Sequence, residues 1–223
     1  ILMLDATADI TLLKGVLGNR VSREVIPVRR NAVIIQAISA QFDRRSMLKE
    51  ESKDSPGYRR KVSKFVAQLG ARRPLLITHK EVKEEMQQEK LIRSSWRVAH
   101  LGAIRGIDLW KTCDAVIIAG RLQPAPRAVL CDARCLFNDD PAALPADSEL
   151  EPDEACLAGC GTKIKTLRYA DRRLQAVLEQ YREQEISQAV DRLRLINCDE
   201  TKLVIILTSV ATDIPIDLAL EWP

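Results

Sequence analysis

The feature that most constrains this chain is a set of short apolar runs, rich in β-branched residues, that alternate with segments of helical periodicity. The runs Ile1–Leu4, Val25–Val28, Val33–Ala37, Leu75–Thr78, Arg97–His100, Val116–Ala119 and Leu203–Thr208 are bounded by polar or turn residues and read as buried strands. Between them, Ala8–Leu17, Tyr58–Leu69, Glu81–Arg93 and the long Arg172–Leu195 carry the i, i+3, i+4 spacing of one-sided helices. In Tyr58–Leu69, for example, Val62, Phe65, Val66 and Leu69 share one face, and Gly70 follows as a stop. Strands that are apolar throughout must be covered on both faces. The pattern therefore predicts an α/β fold with a mainly parallel sheet and helices on both sides.

Length and charge narrow the classes. At roughly 100–200 residues per domain, 223 residues allow one domain with an insertion. No apolar run approaches the ~18–20 residues that cross a bilayer, so no membrane partner is expected and the location is read as cytoplasmic. A net charge of +3, from 34 basic against 31 acidic residues, does not by itself point to nucleic acid. Aromatic residues at 4% leave little for a base-stacking platform. The six cysteines are expected to be reduced thiols, since a chain of this length needs no disulfide scaffold.

The stretch Gln123–Glu154 interrupts the rhythm. Pro124, Pro126, Pro141, Pro145 and Pro152 stand there among acidic residues, and a loop-rich surface insertion over 123–170 is expected. Within it, Thr162–Tyr169 reads as an edge strand or hairpin arm. Cys131, Cys135, Cys156 and Cys160 have spacings that a four-thiolate zinc site permits. Unliganded thiols fit equally well, and no metal site is assigned. His79 and His100 fall at strand ends, where loop hydrogen bonding competes with a ligand role. A cysteine-nucleophile enzyme has no histidine partner legible in the sequence.

Three segments could carry chemistry. In Asp5-Ala6-Thr7-Ala8-Asp9 a small residue and a hydroxyl stand after a strand, where backbone can approach a phosphate or another domain. Asp5, Thr7 or Asp9 can instead simply cap the next helix. In His100 to Asp108, Gly106 between Arg105 and Asp108 suits a tight turn beside a ligand. Arg105 can fork onto a phosphate and Asp108 can accept from a ribose hydroxyl, or the two can pair with each other. In Gln188 to Arg194, Gln188 and Arg192 share a helix face, and either arginine could reach a nucleotide held by another domain or be a solvated charge.

Taken together, these segments resemble the second RecA-like domain of superfamily 1 and 2 helicases. Asp5-Ala6-Thr7 stands where that family carries its motif III, and Leu75 to Lys80 resembles motif IV. Arg105-Gly106-Ile107-Asp108 matches the core of motif V, while Gln188-x-x-x-Arg192 resembles motif VI. More narrowly, Gly120-Arg121-Leu122-Gln123-Pro124 and Asp191-Arg192-Leu193-Arg194 resemble helicase-related proteins of plasmids and prophages. Asp191 stands where motif VI usually has Gly, and Arg194 falls one residue early. His100 stands where many relatives have Thr.

The resemblance implies a division of labour. Residues 1–9 would be the strand and junction of a first RecA-like domain, and 10–223 the second domain. ATP and Mg would be held mainly by that first domain, whose phosphate-binding loop is absent from this sequence. Arg192, and next Arg194, would supply an arginine finger, with Gln188 beside them. Gly106, Asp108 and Arg105 would face the nucleotide. His79, Lys80, Lys83 and His100 would hold nucleic acid, DNA favoured over RNA, and Asp5 and Thr7 would couple the domains. A helicase-like module that only docks, without motor activity, is the alternative.

Overall fold

The computed structural model describes residues 7–26, 28–39, 42–49, 57–147 and 149–222. The Ile1–Leu4 strand and Asp5 lie outside these. Six strands, β1 (Ala32–Ala37), β2 (Pro74–Thr78), β3 (Arg97–His100), β4 (Ala115–Ala119), β7 (Lys202–Leu207) and β8 (Leu218–Leu220), form one parallel sheet in the order β3-β2-β4-β7-β1-β8. A separate antiparallel hairpin joins β5 (Glu151–Cys156) to β6 (Lys163–Arg168).

The strand pleat sorts apolar side chains to two cores. From β2, Leu75 and Ile77 enter one core while Leu76 enters the other. On the first face the sheet packs against Ile186, Ala189 and Val190 of α7 (Glu183–Asp191). On the second it packs against Val62 and Val66 of α3 (Tyr58–Gln68), Val82 and Met86 of α4 (Lys80–Gln88), and Met47 of α2 (Arg44–Leu48). All five residues of β2 and of β4 are buried. Each such aliphatic side chain contributes roughly 1.5–3 kcal/mol relative to exposure, so these central strands anchor the fold. A smaller core joins α5 (Pro126–Leu136) to α6 (Arg172–Tyr181), with Leu12 of α1 (Ile10–Leu17) against it. Among the described residues no helix is long and apolar enough to cross a membrane.

The α/β class with a fully parallel central sheet and helices on both faces is as the periodicity predicts. Four expectations need correction. Val25, Ile26 and Val28 are exposed and lie outside the strands of the described residues. The single helix expected over Arg172–Leu195 is two helices, broken at Arg182 and followed by a 3-10 turn at Leu195–Asn197. The Arg182 guanidinium is almost fully buried, donating to the Leu167 carbonyl at 3.0 Å and to Glu183, and this anchoring fixes the break. The helix expected to reach Arg93 stops at Gln88, where Lys90 takes a left-handed φ of 54°. Finally, the 123–170 insertion holds an 11-residue helix and the strand β5 where loop was expected, while β6 is the hairpin arm read at Thr162–Tyr169. Ala125-Pro126 supplies a natural helix start there, with Pro in the first turn.

Candidate functional site

Helix α7 gathers most of the chemically interesting residues. Glu185, Gln188 and Arg192 recur at the three- and four-residue spacing of one helical face. The loop that leaves β3 lies along this face. Gly102 N–H donates to Glu185 Oε1 at 2.6 Å, and Arg105 Nε reaches Glu185 Oε2 at 3.3 Å. Further along, Arg192 Nη1 donates to the Ile107 carbonyl at 2.9 Å, and Arg194 Nε donates to Asp108 Oδ1 at 2.8 Å. Gln188 Nε2 donates to Thr7 Oγ1 at 3.2 Å, which ties the segment before α1 to the same helix. Asp9, rather than Thr7, caps α1, accepting from the Thr11 and Leu12 N–H groups.

So the structure brings together Thr7, Arg105, Asp108, Gln188, Arg192 and Arg194, which lie far apart in sequence. The apolar side of the same helix explains why. Ile186, Ala189, Val190 and the following Leu193 are all fully buried, which fixes the helix rotation and turns its polar face to the loop. Gly106 sits at the exposed bend of that loop with φ 70°, a conformation that favours glycine.

The two arginines differ in freedom. Arg192 is half-buried, and its Nε is buried without a partner among the described residues. Arg194 has a left-handed backbone and a side chain 57% exposed, paired with an Asp108 side chain 51% exposed. The hydrogen bond from Arg194 holds the Asp108 carboxyl below its usual range, and Asp108 in turn raises Arg194. Both arginines lie toward the amino ends of the strands. The Leu195 carbonyl accepts from Asn31 N–H just before β1, and Lys202 at the start of β7 donates to the Leu193 carbonyl.

His79, Lys80, Lys83 and His100 occupy the opposite, carboxyl rim. Thr78 and His100 end adjacent strands in register. The His100 ring nitrogen Nδ1 lies 3.0 Å from the Leu101 carbonyl. Lys80 is exposed and Lys83 half-buried on the first turns of α4, whose start at His79 carries no side-chain cap.

This rim also holds groups that sequence reasoning left out of the site. Gly120 follows β4 with φ 114°, and a Cβ there would stand 2.5 Å from His79 Nε2 and 2.9 Å from the Phe42 carbonyl. The next residue, Arg121, donates from Nη1 to Ser209 Oγ at 2.9 Å. Burial, and the nearby Arg182 charge, pull Arg121 below the ordinary arginine range. Burial likewise lowers His79 below its ordinary range. Thr78 Oγ1, His79 Nε2 and Arg121 Nε are all buried and lack hydrogen-bond partners among the described residues. The sequence marked Arg121 through a Gly-Arg pair directly after an apolar strand and the resemblance carried by Gly120 to Pro124, without giving it a role in the site.

Cys131 and Cys135 lie on α5, and Cys156 and Cys160 on the hairpin turn. Among the described residues, no group of three or more histidine, cysteine or acidic side chains is placed to hold a metal. Neither a family model, nor a curated protein, nor a solved structure matches this chain.

Proposed function

We propose that this chain is the second RecA-like domain of an ATP-dependent nucleic-acid helicase or translocase. The observation that carries the reading is the convergence of three separate segments on α7. Thr7 meets Gln188, the Arg105–Asp108 loop lies along Glu185 to Arg194, and one core fixes both. In this reading the α7 face presents arginine to ATP and Mg held mainly by a first RecA-like domain of the same polypeptide. Arg194 is the better placed finger, because its exposed pairing with Asp108 is easily exchanged for a phosphate. Arg192 fixes the loop through the Ile107 carbonyl. Gly106, Asp108 and Arg105 stand where a nucleotide-facing turn is needed.

The carboxyl rim forms the track. In open parallel sheets ligands bind outside the carboxyl ends of the strands, which supports the rim as a binding edge and counts against a nucleotide at the amino-end position of Arg192 and Arg194. There the start of α4, Lys80, Lys83 and His100 face a phosphate backbone, DNA before RNA, without reading bases, while the buried His79 holds the helix start. A docking module without motor activity is the second reading. It is favoured by the bonding of both arginines within the chain itself.

Fluorescence anisotropy of this chain with a labelled single-stranded oligonucleotide, across a salt series, tests the track. Affinity should fall linearly with log salt, and Lys80→Ala and Lys83→Ala should each lower the slope by about one. Binding that ignores salt, or is unchanged in both variants, would remove the rim from that role.

A further inference from the structure

The hairpin of the insertion carries two cysteines on one tight turn. Cys156 ends β5 opposite Lys163, and the chain reverses immediately after it. The reversal is held by the Leu157 N–H on the Thr162 carbonyl at 2.9 Å and the Gly161 N–H on the Leu157 carbonyl at 3.0 Å. Gly159 and Gly161 supply the left-handed conformations it needs, with φ 86° and 70°.

Both sulfurs are drawn to the same place. Cys156 Sγ donates to the Gly161 carbonyl at 3.1 Å, and Cys160 Sγ to Thr162 Oγ1 at 3.5 Å. These partners belong to consecutive residues joined by one peptide bond, so both thiols rest against the same two-residue stretch of the turn. Both cysteines are exposed. The Thr162 hydroxyl and backbone beside Cys160 favour its thiolate and lower the thiol below its usual range. By contrast, Cys113 is buried and burial raises its thiol, while Cys198 donates to the Leu195 carbonyl.

The turn is also pinned to the main fold. Ile216 N–H donates to the Ala158 carbonyl at 2.7 Å, and a Cβ on Gly159 would lie 2.7 Å from the Ile216 carbonyl. Leu157 and Ile216 are buried in the central core, at 1% and 2% exposure. The backbone that positions the two thiols is thus fixed from below by Ile216, whose own segment runs into β8 at the sheet edge.

We propose that Cys156 and Cys160 are a redox-active dithiol that closes to a disulfide across this turn when it meets a small-molecule disulfide such as oxidised glutathione. The Cys160 thiolate attacks one glutathione sulfur, its S–S bond breaks, and the released glutathione thiolate takes up a proton. Cys156 then loses its proton and attacks Cys160 Sγ in the mixed disulfide, expelling the second glutathione as a thiol. The chain loses two electrons and two protons, and glutathione disulfide gains them. The closed ring clamps the turn onto Ile216 and tightens the seating of β8. The site stands on its own geometry and does not depend on the helicase reading.

Intact mass and peptide mapping of the full chain after exposure to oxidised glutathione test the proposal. The expected product is lighter by two hydrogen atoms, carries a Cys156–Cys160 link, and forms unchanged when Cys131→Ser and Cys135→Ser are combined. Cys156→Ser should instead accumulate a glutathione adduct on Cys160, and Cys160→Ser should react about tenfold more slowly. Amide exchange at Ile216 should slow on oxidation. Stable adducts on the wild-type turn, a link from either cysteine to any other, or no reaction would each overturn the dithiol. Unchanged exchange at Ile216 would overturn the clamp.

Discussion

The α7 face and the carboxyl rim are both polar, yet they treat their polar groups differently. Along α7 each charged group that meets the loop has a partner within the chain, although Arg192 Nε itself is buried without one among the described residues. Glu185 accepts from Gly102 and Arg105, Arg192 donates to Ile107, Arg194 to Asp108, and Arg30 pairs with Asp191. At the rim, Thr78 Oγ1, His79 Nε2 and Arg121 Nε are buried with no such partner among the described residues. A buried polar atom without a hydrogen bond costs about 1–3 kcal/mol, so three of them gathered at one sheet edge make a costlier arrangement than the single such atom of Arg192. The α7 face is thus bonded to its loop at most of its charged groups, while the rim gathers more buried polar atoms that lack partners among the described residues.

The largest effect should come from closing the rim. Gly120→Ala would force a Cβ onto the His79 ring and the Phe42 carbonyl in a backbone conformation that side chains avoid. A loss of about 3 kcal/mol in urea unfolding is expected. A loss below that of an ordinary surface substitution would show that the rim is loosely packed. Next comes Glu185→Ala on the other side of the comparison. It removes a carboxylate only 2% exposed and strands the Gly102 N–H, at about 2 kcal/mol by the same measurement.

Acid should separate the two regions further. His79 titrates below its ordinary 6.5, mainly because burial disfavours its charged form, while the Phe42 backbone, Glu81 and Asp43 pull it partly back. The unfolded chain therefore binds more protons than the folded one just below 6.5. Stability contributed by neutral His79 is complete above that value and is lost as pH falls toward the lowered one. The melting temperature should drop by about 2 °C across this window. His79→Gln should flatten the drop, and an unaltered profile would place the titrating group elsewhere. The smallest effect is expected at Arg105, whose side chain is 52% exposed. Arg105→Ala should cost about 0.5 kcal/mol, far less than loss of its buried partner.

The central sheet was legible because burial on both faces leaves runs such as Val116–Ala119 with no polar position. The strand β5 was not, since Glu151, Pro152, Asp153 and Glu154 read as loop, and only pairing with β6 makes them extended. The three residues of β8 are mostly exposed and follow Pro215, so they carry no buried pattern. The break at Arg182 lacks Gly or Pro, because its cause is a guanidinium bonded to Leu167 from a distant hairpin. At the site, the shared face of Gln188 and Arg192 followed from helical spacing alone. Their partners, Thr7 and Ile107, did not, because each contact closes a loop of more than 80 residues, 181 for Gln188 and 85 for Arg192. The rim groups were half visible. His79 was marked by its strand end, whereas Arg121 gained its place only when β4 and β7 paired and brought Ser209 beside it.

The most direct measurement is ATP turnover by a polypeptide that joins this chain to a phosphate-binding-loop domain, comparing Arg194→Gln with wild type. Loss of about 10³-fold in turnover with ATP affinity retained is the result expected of an arginine finger. Wild-type turnover in Arg194→Gln, and again in Arg192→Gln, would contradict the claim that this face completes a nucleotide site.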